Sequence, residues 1–457
     1  MFKSKLYFTG NSIFHGLKVS KLLRSQRTFF SANQAFNFKS YSTASLRAAG
    51  NSTPLTTKIP KQFPAISNKG VSYWLFGTST LVFGIVVLGG LTRLTESGLS
   101  ITEWKPITGA IPPLNQADWE SEFIKYKDSP EFKQLNSHIT LDEFKFIFYM
   151  EWSHRLVGRC IGMFFILPAI YFWSSKKISP HMRYRLVGLT ALLGLQGAIG
   201  WWMVKSGLDE QQLMERQSKP TVSQYRLTTH LAAAFVMYLG VLWSGFEILT
   251  ENKLLSQAKV DPEYVKTLLS KLGSPKLNGI RTMAWALLTL TFFTAMSGGM
   301  VAGLDAGLIY NTFPHMGDDY LPSYNELMSD TFARKEDHSD LFWRNIFENP
   351  TTVQLVHRIM ATSTFFAVLA AHTYSLKYRT IIPRPAMRAL GGMMGLVTLQ
   401  ATLGISTLIY LVPIPLAALH QAGALALLTG CLSFCARLKR VRPQAANQIL
   451  KALKNTT

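Results

Sequence analysis

The sequence predicts an all-α integral membrane protein with eight transmembrane helices, arranged as two tandem four-helix bundles. Three observations lead there. Eight apolar runs are each roughly 20 residues long, the length that spans a hydrocarbon core of about 30 Å. Basic and acidic links alternate between those runs. A set of residues also recurs in the same order in the two halves of the chain. Only 16% of the 457 residues are charged and 48% are hydrophobic, whereas a soluble domain usually carries about 25% charged residues.

Residues 1–70 hold 11 Lys/Arg and no acid, are rich in Ser, Thr, Asn and Phe, and lack a continuous apolar core. This composition reads as a mitochondrial transit peptide with a matrix tail, outside the fold. Span one, 73–92, contains Gly89-Gly90, and the link 94–143 carries nine acids and four bases. Span two, 144–173, opens with EWSHRLVGR, Glu151 to Arg159. A link with four bases and no acid, 174–185, leads to span three, 185–204. The mixed link 205–225 precedes span four, 226–248, which holds His230. The link 249–281 has six bases and three acids. Span five, 282–303, contains Gly298-Gly299, and the link 305–352 has nine acids and three bases. Span six, 353–376, begins with QLVHRIMAT, Gln354 to Thr362, and four bases without an acid follow in 377–388. Spans seven and eight, 387–411 and 414–437, are parted only by Leu-Val-Pro-Ile-Pro. The last stretch, 436–457, has six bases and no acid.

By the positive-inside rule both termini face the matrix and the long acidic links face the intermembrane space. The net charge of +21 therefore belongs to membrane topology and does not point to nucleic acid. The expected organisation is a transit peptide and matrix tail over 1–70 and a first half over 71–250. A matrix linker follows over 251–280, then a second half over 281–440 and a basic matrix tail over 441–457. Cys160, Cys431 and Cys435 all fall in spans, and Cys431 and Cys435, which share a helix face, are expected to be small buried hydrophobes.

Five matches support a duplication, each recurring roughly 200 residues later. Gly89-Gly90 matches Gly298-Gly299, and His154-Arg155 matches His357-Arg358. Met182-Arg183 matches Met387-Arg388. Leu195-Gln196 with Gly200 matches Leu399-Gln400 with Gly404, and His230 matches His420. Each half has an even number of spans, so the halves share one orientation, as parallel repeats do. Gly89-Gly90, Gly298-Gly299 and Gly391-Gly392 read as close helix approaches.

Four of the ten histidines, His154, His230, His357 and His420, are repeat-related, one in each even-numbered span. Each lies roughly 25–35 Å from the first matrix-side Lys or Arg of its span, about one hydrocarbon thickness. All four therefore sit near the intermembrane-space boundary. Imidazoles inside membrane spans mark function. Two of them from facing helices suit the two axial positions of a haem iron. One tetrapyrrole pocket per half is expected: His154 with His230, and His357 with His420.

Glu151 precedes His154 by three residues and shares its helix face. It is either an acid beside the ring that His154 ligates or an interfacial carboxylate paired with Arg155 or a loop cation. Gln354 stands in its place in the second half. If one half performs chemistry, it is the half with Glu151. Arg155 and Arg358 either pair with haem propionates or extend to the interface. Arg159 receives no role.

With these residues in view, the chain from about Tyr73 to Arg440 resembles the mitochondrial haem A synthase family. The likeness rests on the duplicated eight-span pattern, Glu151-x-x-His154-Arg155, His230, His357 and His420. It also includes the segment GGLTRLTESGLSITEWKPITGAIPP, Gly89 to Pro113. The resemblance implies oxidation of the C8 methyl of haem O to a formyl group, giving haem A for cytochrome c oxidase. It implies that His154 and His230 flank the substrate haem with Glu151 as the essential acid, and that His357 and His420 ligate haem b. Haem O and its synthase, ferredoxin and its reductase as electron donors, cytochrome oxidase assembly and a homo-oligomer are the implied partners, in the mitochondrial inner membrane. Bacterial members often carry a cysteine pair in the outer loops, and this chain has none there. A non-catalytic di-haem b cytochrome passing electrons to a quinone or partner fits the four histidines as well. A transporter or assembly factor without chemistry would bind no haem.

Overall fold

The computed structural model describes residues 62–455; the expected transit peptide lies outside them apart from its last residues. The described residues are nearly all helical and include no strand. Eight of their helices are long and apolar enough to cross a membrane. These are α1 Lys69–Leu94, α2 Leu141–Ser174, α3 Pro180–Leu208 and α4 Gln224–Val260. They continue as α5 Asn278–Gly303, α6 Pro350–Leu376, α7 Arg384–Ile409 and α8 Ile414–Leu438.

Local chemistry sets the ends of these helices. Thr140 and Glu143 form a reciprocal capping box at the start of α2. Ser179 caps α3 and Asn349 caps α6, each followed by a proline in the first turn. Between α7 and α8, Pro413 disfavours a right-handed helical Val412. Leu411 and Val412 instead take φ of 60° and 57°, and the Val412 N–H donates back to the Thr407 carbonyl at 2.8 Å. The chain so reverses within a few residues. The largest departure from the predicted edges is in α4, which runs on from 248 to Val260. Its polar last turns keep Leu254 and Ala258 on one buried side.

In the packing, α1 touches α2, α4 and α8, while α5 touches α4, α6 and α8. Helix α3 lies on α4 and α7 on α8. The core accordingly centres on α1, α4, α5 and α8, with Val86, Phe235, Leu288 and Leu428 among its members. Polar contacts pin the central helices. Gln421 Nε2 on α8 donates to the Val86 carbonyl on α1 at 2.9 Å, and the Tyr238 and Thr429 hydroxyls meet at 2.6 Å. Gly90 faces Gln421 so closely that a Cβ would fall 1.6 Å from Oε1, and one on Gly299 would meet Leu231 at 3.2 Å. Gly391-Gly392 corrects the expectation of a third close approach, because added Cβ atoms there meet nothing within 4 Å. Helix α7 buries the opposite stripe, Ala386, Leu390, Met393 and Val397.

At the end remote from the four histidines, Ile66, Leu254, Ala258 and Val265 pack with Ala445, Ile449 and Leu453 of the helix Pro443–Lys454. Beside them lie the buried carboxylates Glu247 and Glu251. Arg442 donates to Glu251 at 2.7 Å, and Glu247 meets Arg185 and Arg442, each at 3.4 Å, together with Lys439. At the histidine end, the link between α1 and α2 folds into an aromatic cap of Trp119, Tyr126, Phe144 and Phe148. Under it the Tyr126 hydroxyl donates to buried Glu131 at 3.0 Å, and Asn136 donates to Tyr126 at 2.9 Å. Burial pushes the Glu131 carboxyl up to about 8, with the charges of Glu151 and Glu96 adding to the shift.

Three outcomes are expected. In Gly303→Ala the new methyl group meets Gln224 Cβ at 2.6 Å and Cα at 2.8 Å. Overpacking against backbone should destabilise the protein by about 1–3 kcal/mol, read as a lower unfolding temperature in detergent. Gly391→Ala should be neutral or stabilising by up to about 1 kcal/mol. Glu131 carries a raised folded pKa, so the folded state holds a proton that the unfolded chain has lost. Stability of the cap should therefore be greatest below the ordinary value of 4.5 and fall as pH rises toward about 8. Hydrogen exchange across 119–148 should show this slope in the wild type and lose it in Glu131→Gln.

Candidate functional site

The four repeat-related histidines share one local construction. Each imidazole lies edge-on to a glycine of the preceding span. His154 Cε1 is 2.9 Å from the position a Cβ would take on Gly89, and His230 Cε1 is 3.0 Å from that on Gly200. His357 is 3.1 Å from that on Gly298, and His420 is 2.7 Å from that on Gly404. The glycines stand on α1, α3, α5 and α7, and the histidines on α2, α4, α6 and α8. Behind His230 and His420, Gln196 and Gln400 each donate to the histidine's own carbonyl at 2.9 Å.

The rings come together in pairs. His357 and His420 have centroids 6.5 Å apart with planes at 88°. Two imidazoles bound to one metal at about 2 Å each have centres roughly 6 Å apart, so this spacing fits axial ligation of a single iron. His154 and His230 lie within electrostatic reach of each other. No group of three or more protein ligands for a bare metal ion occurs among the described residues. Paired imidazoles instead suit an iron whose other positions a porphyrin fills.

The Nδ1 environments differ between the pairs. His357 Nδ1 meets Ser297 Oγ at 2.8 Å, and His420 Nδ1 meets the Gln400 amide at 3.1 Å. His154 Nδ1 and His230 Nδ1 are buried without a partner.

Glu151 and Gln354 anchor the outer links. The Glu151 carboxylate is buried and accepts from Ser100 Oγ at 2.7 Å and from the Ile101 N–H at 2.8 Å. Arg155 pairs with its other oxygen at 2.6 Å, so the sequence alternative of a carboxylate paired with Arg155 describes the observed contact. Arg155 also donates to the Ile101 and Glu103 carbonyls, and Arg159 to those of Lys105 and Pro106. In the second half Gln354 Nε2 donates to the Ala306 carbonyl at 2.8 Å and the Tyr310 carbonyl at 3.1 Å. Arg358 donates to the Tyr310 and His315 carbonyls. Position 151 thus receives hydrogen bonds from its link, and position 354 gives them. Arg358 Nε and Arg159 Nη1 remain as buried donors without partners.

Sequence reasoning passed over Ser100, which binds Glu151, and Ser297, which binds His357. Ser100 lies inside the Gly89–Pro113 segment and Ser297 beside a Gly-Gly pair, but the role of each shows only through a partner at least 50 residues away. The glycines under the rings carried a signal, because the repeat already matched Gly89 with Gly298 and Gly200 with Gly404.

Comparison with known proteins places this arrangement among relatives. A family model described as "Cytochrome oxidase assembly protein", COX15-CtaA, matches residues 72–432. Heme A synthase COX15 of Saccharomyces cerevisiae is 58% identical over 94% of this chain and 89% of its own length. A heme A synthase-mitochondrial ferredoxin fusion protein of Schizosaccharomyces pombe is 49% identical, over 94% of this chain and 69% of its own length. Heme A synthase COX15 of Homo sapiens is 44% identical, over 81% of this chain and 83% of its own length.

Proposed function

The chain belongs to the COX15-CtaA family of cytochrome oxidase assembly proteins, and from that premise we infer how it carries out haem A synthesis. It is an enzyme that converts haem O to haem A, in a multi-pass protein of the mitochondrial inner membrane. Likeness to heme A synthases along nearly the whole chain carries this conclusion. Successive hydroxylations of one methyl group followed by loss of water give the formyl group. The non-catalytic di-haem cytochrome finds no support among these relatives.

The finer assignments are our reading. Two parallel four-helix repeats each hold one haem between paired histidines. Support comes from the four glycine-seated imidazoles and the spacing of His357 and His420. His154 and His230 flank the substrate haem, and His357 and His420 hold a resident haem b that relays electrons. Glu151 is the acid of the substrate half. Its support is the buried, ionisable carboxylate one turn from His154, opposed by Gln354 in the other half. With Arg155 it also fixes residues 100–103 of the link against α2, and Arg159 fixes 105–106. Arg155 and Arg358 stand near enough to the histidines to steer propionates, and the unpartnered Arg358 Nε is a free donor for one.

The termini face the matrix and the histidine end faces the intermembrane space, as the link charges suggest. A ferredoxin is the electron donor, a reading supported by the relative fused to mitochondrial ferredoxin. A homo-oligomer remains part of the reading.

Glu151→Gln should cut haem A formation by about 10²-fold or more in membranes supplied with haem O, with the haem b spectrum unchanged. Equal loss of both haems would sink the division of labour. Ser100→Ala keeps the carboxylate but removes one of its donors. A loss as deep as that of Glu151→Gln would make link anchoring, not the acid, the essential duty. Pigment extracted from wild-type protein should contain haem b together with haem O or haem A. Haem b alone, despite added haem O, would overturn the substrate pocket.

A further inference from the structure

Ser297 Oγ lies 2.7 Å from the Thr294 carbonyl and 2.8 Å from His357 Nδ1. With its one proton given to the carbonyl, the oxygen accepts from Nδ1–H, so both contacts are satisfied together in the tautomer that leaves a lone pair on Nε2. Donation from Nδ1–H also raises the basicity of Nε2, as partners of metal-bound imidazoles do. His420 Nδ1 meets the Gln400 amide nitrogen, which also donates to the His420 carbonyl, so the hydroxyl acceptor belongs to His357 alone.

The first half lacks the hydroxyl. The residue before Gly89 is Leu88, where Ser297 precedes Gly298, and a leucine side chain accepts nothing. His154 Nδ1 is buried and unpartnered. His230 Nδ1 is unpartnered too, although Gln196 makes the same bond to its backbone as Gln400 makes in the second half. For either ring to present Nε2 to iron, it must bury an Nδ1–H without an acceptor, which weakens the ligand.

We propose that Ser297 is a positioning residue that makes the His357–His420 haem a retained one, and that Leu88 in its place leaves the His154–His230 haem exchangeable. The inference rests on the reading that His357 and His420 hold resident haem and the other pair holds substrate. It explains a requirement of that reading: a substrate haem must enter as haem O and leave as haem A, while the relay haem must stay.

The test uses full-length purified protein loaded with haem b and haem O, mixed with excess apomyoglobin as the haem acceptor. Extraction and chromatography then identify which haem has left. In the wild type the haem O and haem A pool should leave first. Ser297→Ala should speed haem b loss by about 10–100-fold, the usual effect of removing such a partner, and shift the low-spin electron paramagnetic resonance signal. Ser297→Thr, which keeps the hydroxyl, should restore both. Leu88→Ser should slow departure of the haem O and haem A pool by a similar factor. Unchanged haem b loss and an unchanged resonance signal in Ser297→Ala would overturn the proposal, as would loss from Ser297→Thr equal to that from Ser297→Ala. Full retention of haem b in His357→Ala would instead overturn the underlying assignment of ligands.

Discussion

An imidazole that lies edge-on to a neighbouring helix needs a residue without a Cβ across from it. Gly89, Gly200, Gly298 and Gly404 meet that need once each. With any side chain there, the ring would swing along its own helix and Nε2 would turn away from its counterpart. Spacing within each consecutive pair of spans follows from the same condition, since the ring fits between them only where the glycine faces it. The contacts among α1, α4, α5 and α8 then follow from their apolar faces. Elsewhere the packing is less exacting: α7 carries Gly391 and Gly392 with nothing opposite them.

A second layer holds the links to the histidine end. Glu151 and Gln354 occupy the same position and perform the same mechanical task with opposite hydrogen-bond polarity. One receives from Ser100 and Ile101, and the other gives to Ala306 and Tyr310. A carboxylate in the second half would face two carbonyl oxygens, and an amide in the first would lose the charge that Arg155 balances. The Glu/Gln difference is therefore built into the folding of each link as well as into any chemistry beside His154. Both roles use the same atoms.

Much of this was legible in the sequence. Bilayer thickness and helical rise turn apolar runs into spans, and the repeat singles out four histidines from ten. Hydropathy reports the bilayer rather than the helix, however, so it could not see α4 continuing through polar residues to Val260. Nor could spacing along one helix reveal what Glu151 touches, because Ser100 and Ile101 come from an aperiodic link about 50 residues earlier. Ser297 looked like one more small residue beside a Gly-Gly pair. Its meaning depends on two contacts of one hydroxyl, with the Thr294 carbonyl one turn before it and with His357 Nδ1 on the next span.

The apolar cluster that joins Ile66 to Ala445, Ile449 and Leu453 brings the two ends of the described chain to one side of the bundle. The four repeat-related histidines lie on the other. From Leu254, in that cluster, back to His230 along α4 is on the order of 35 Å. An electron donor docked beside the termini would deliver its charge that far from His230, one of the four glycine-seated imidazoles. The bundle between them, where rings of Phe235 and Trp243 on α4 meet those of Phe292 and Trp285 on α5, would then have to pass the charge as well as form the scaffold.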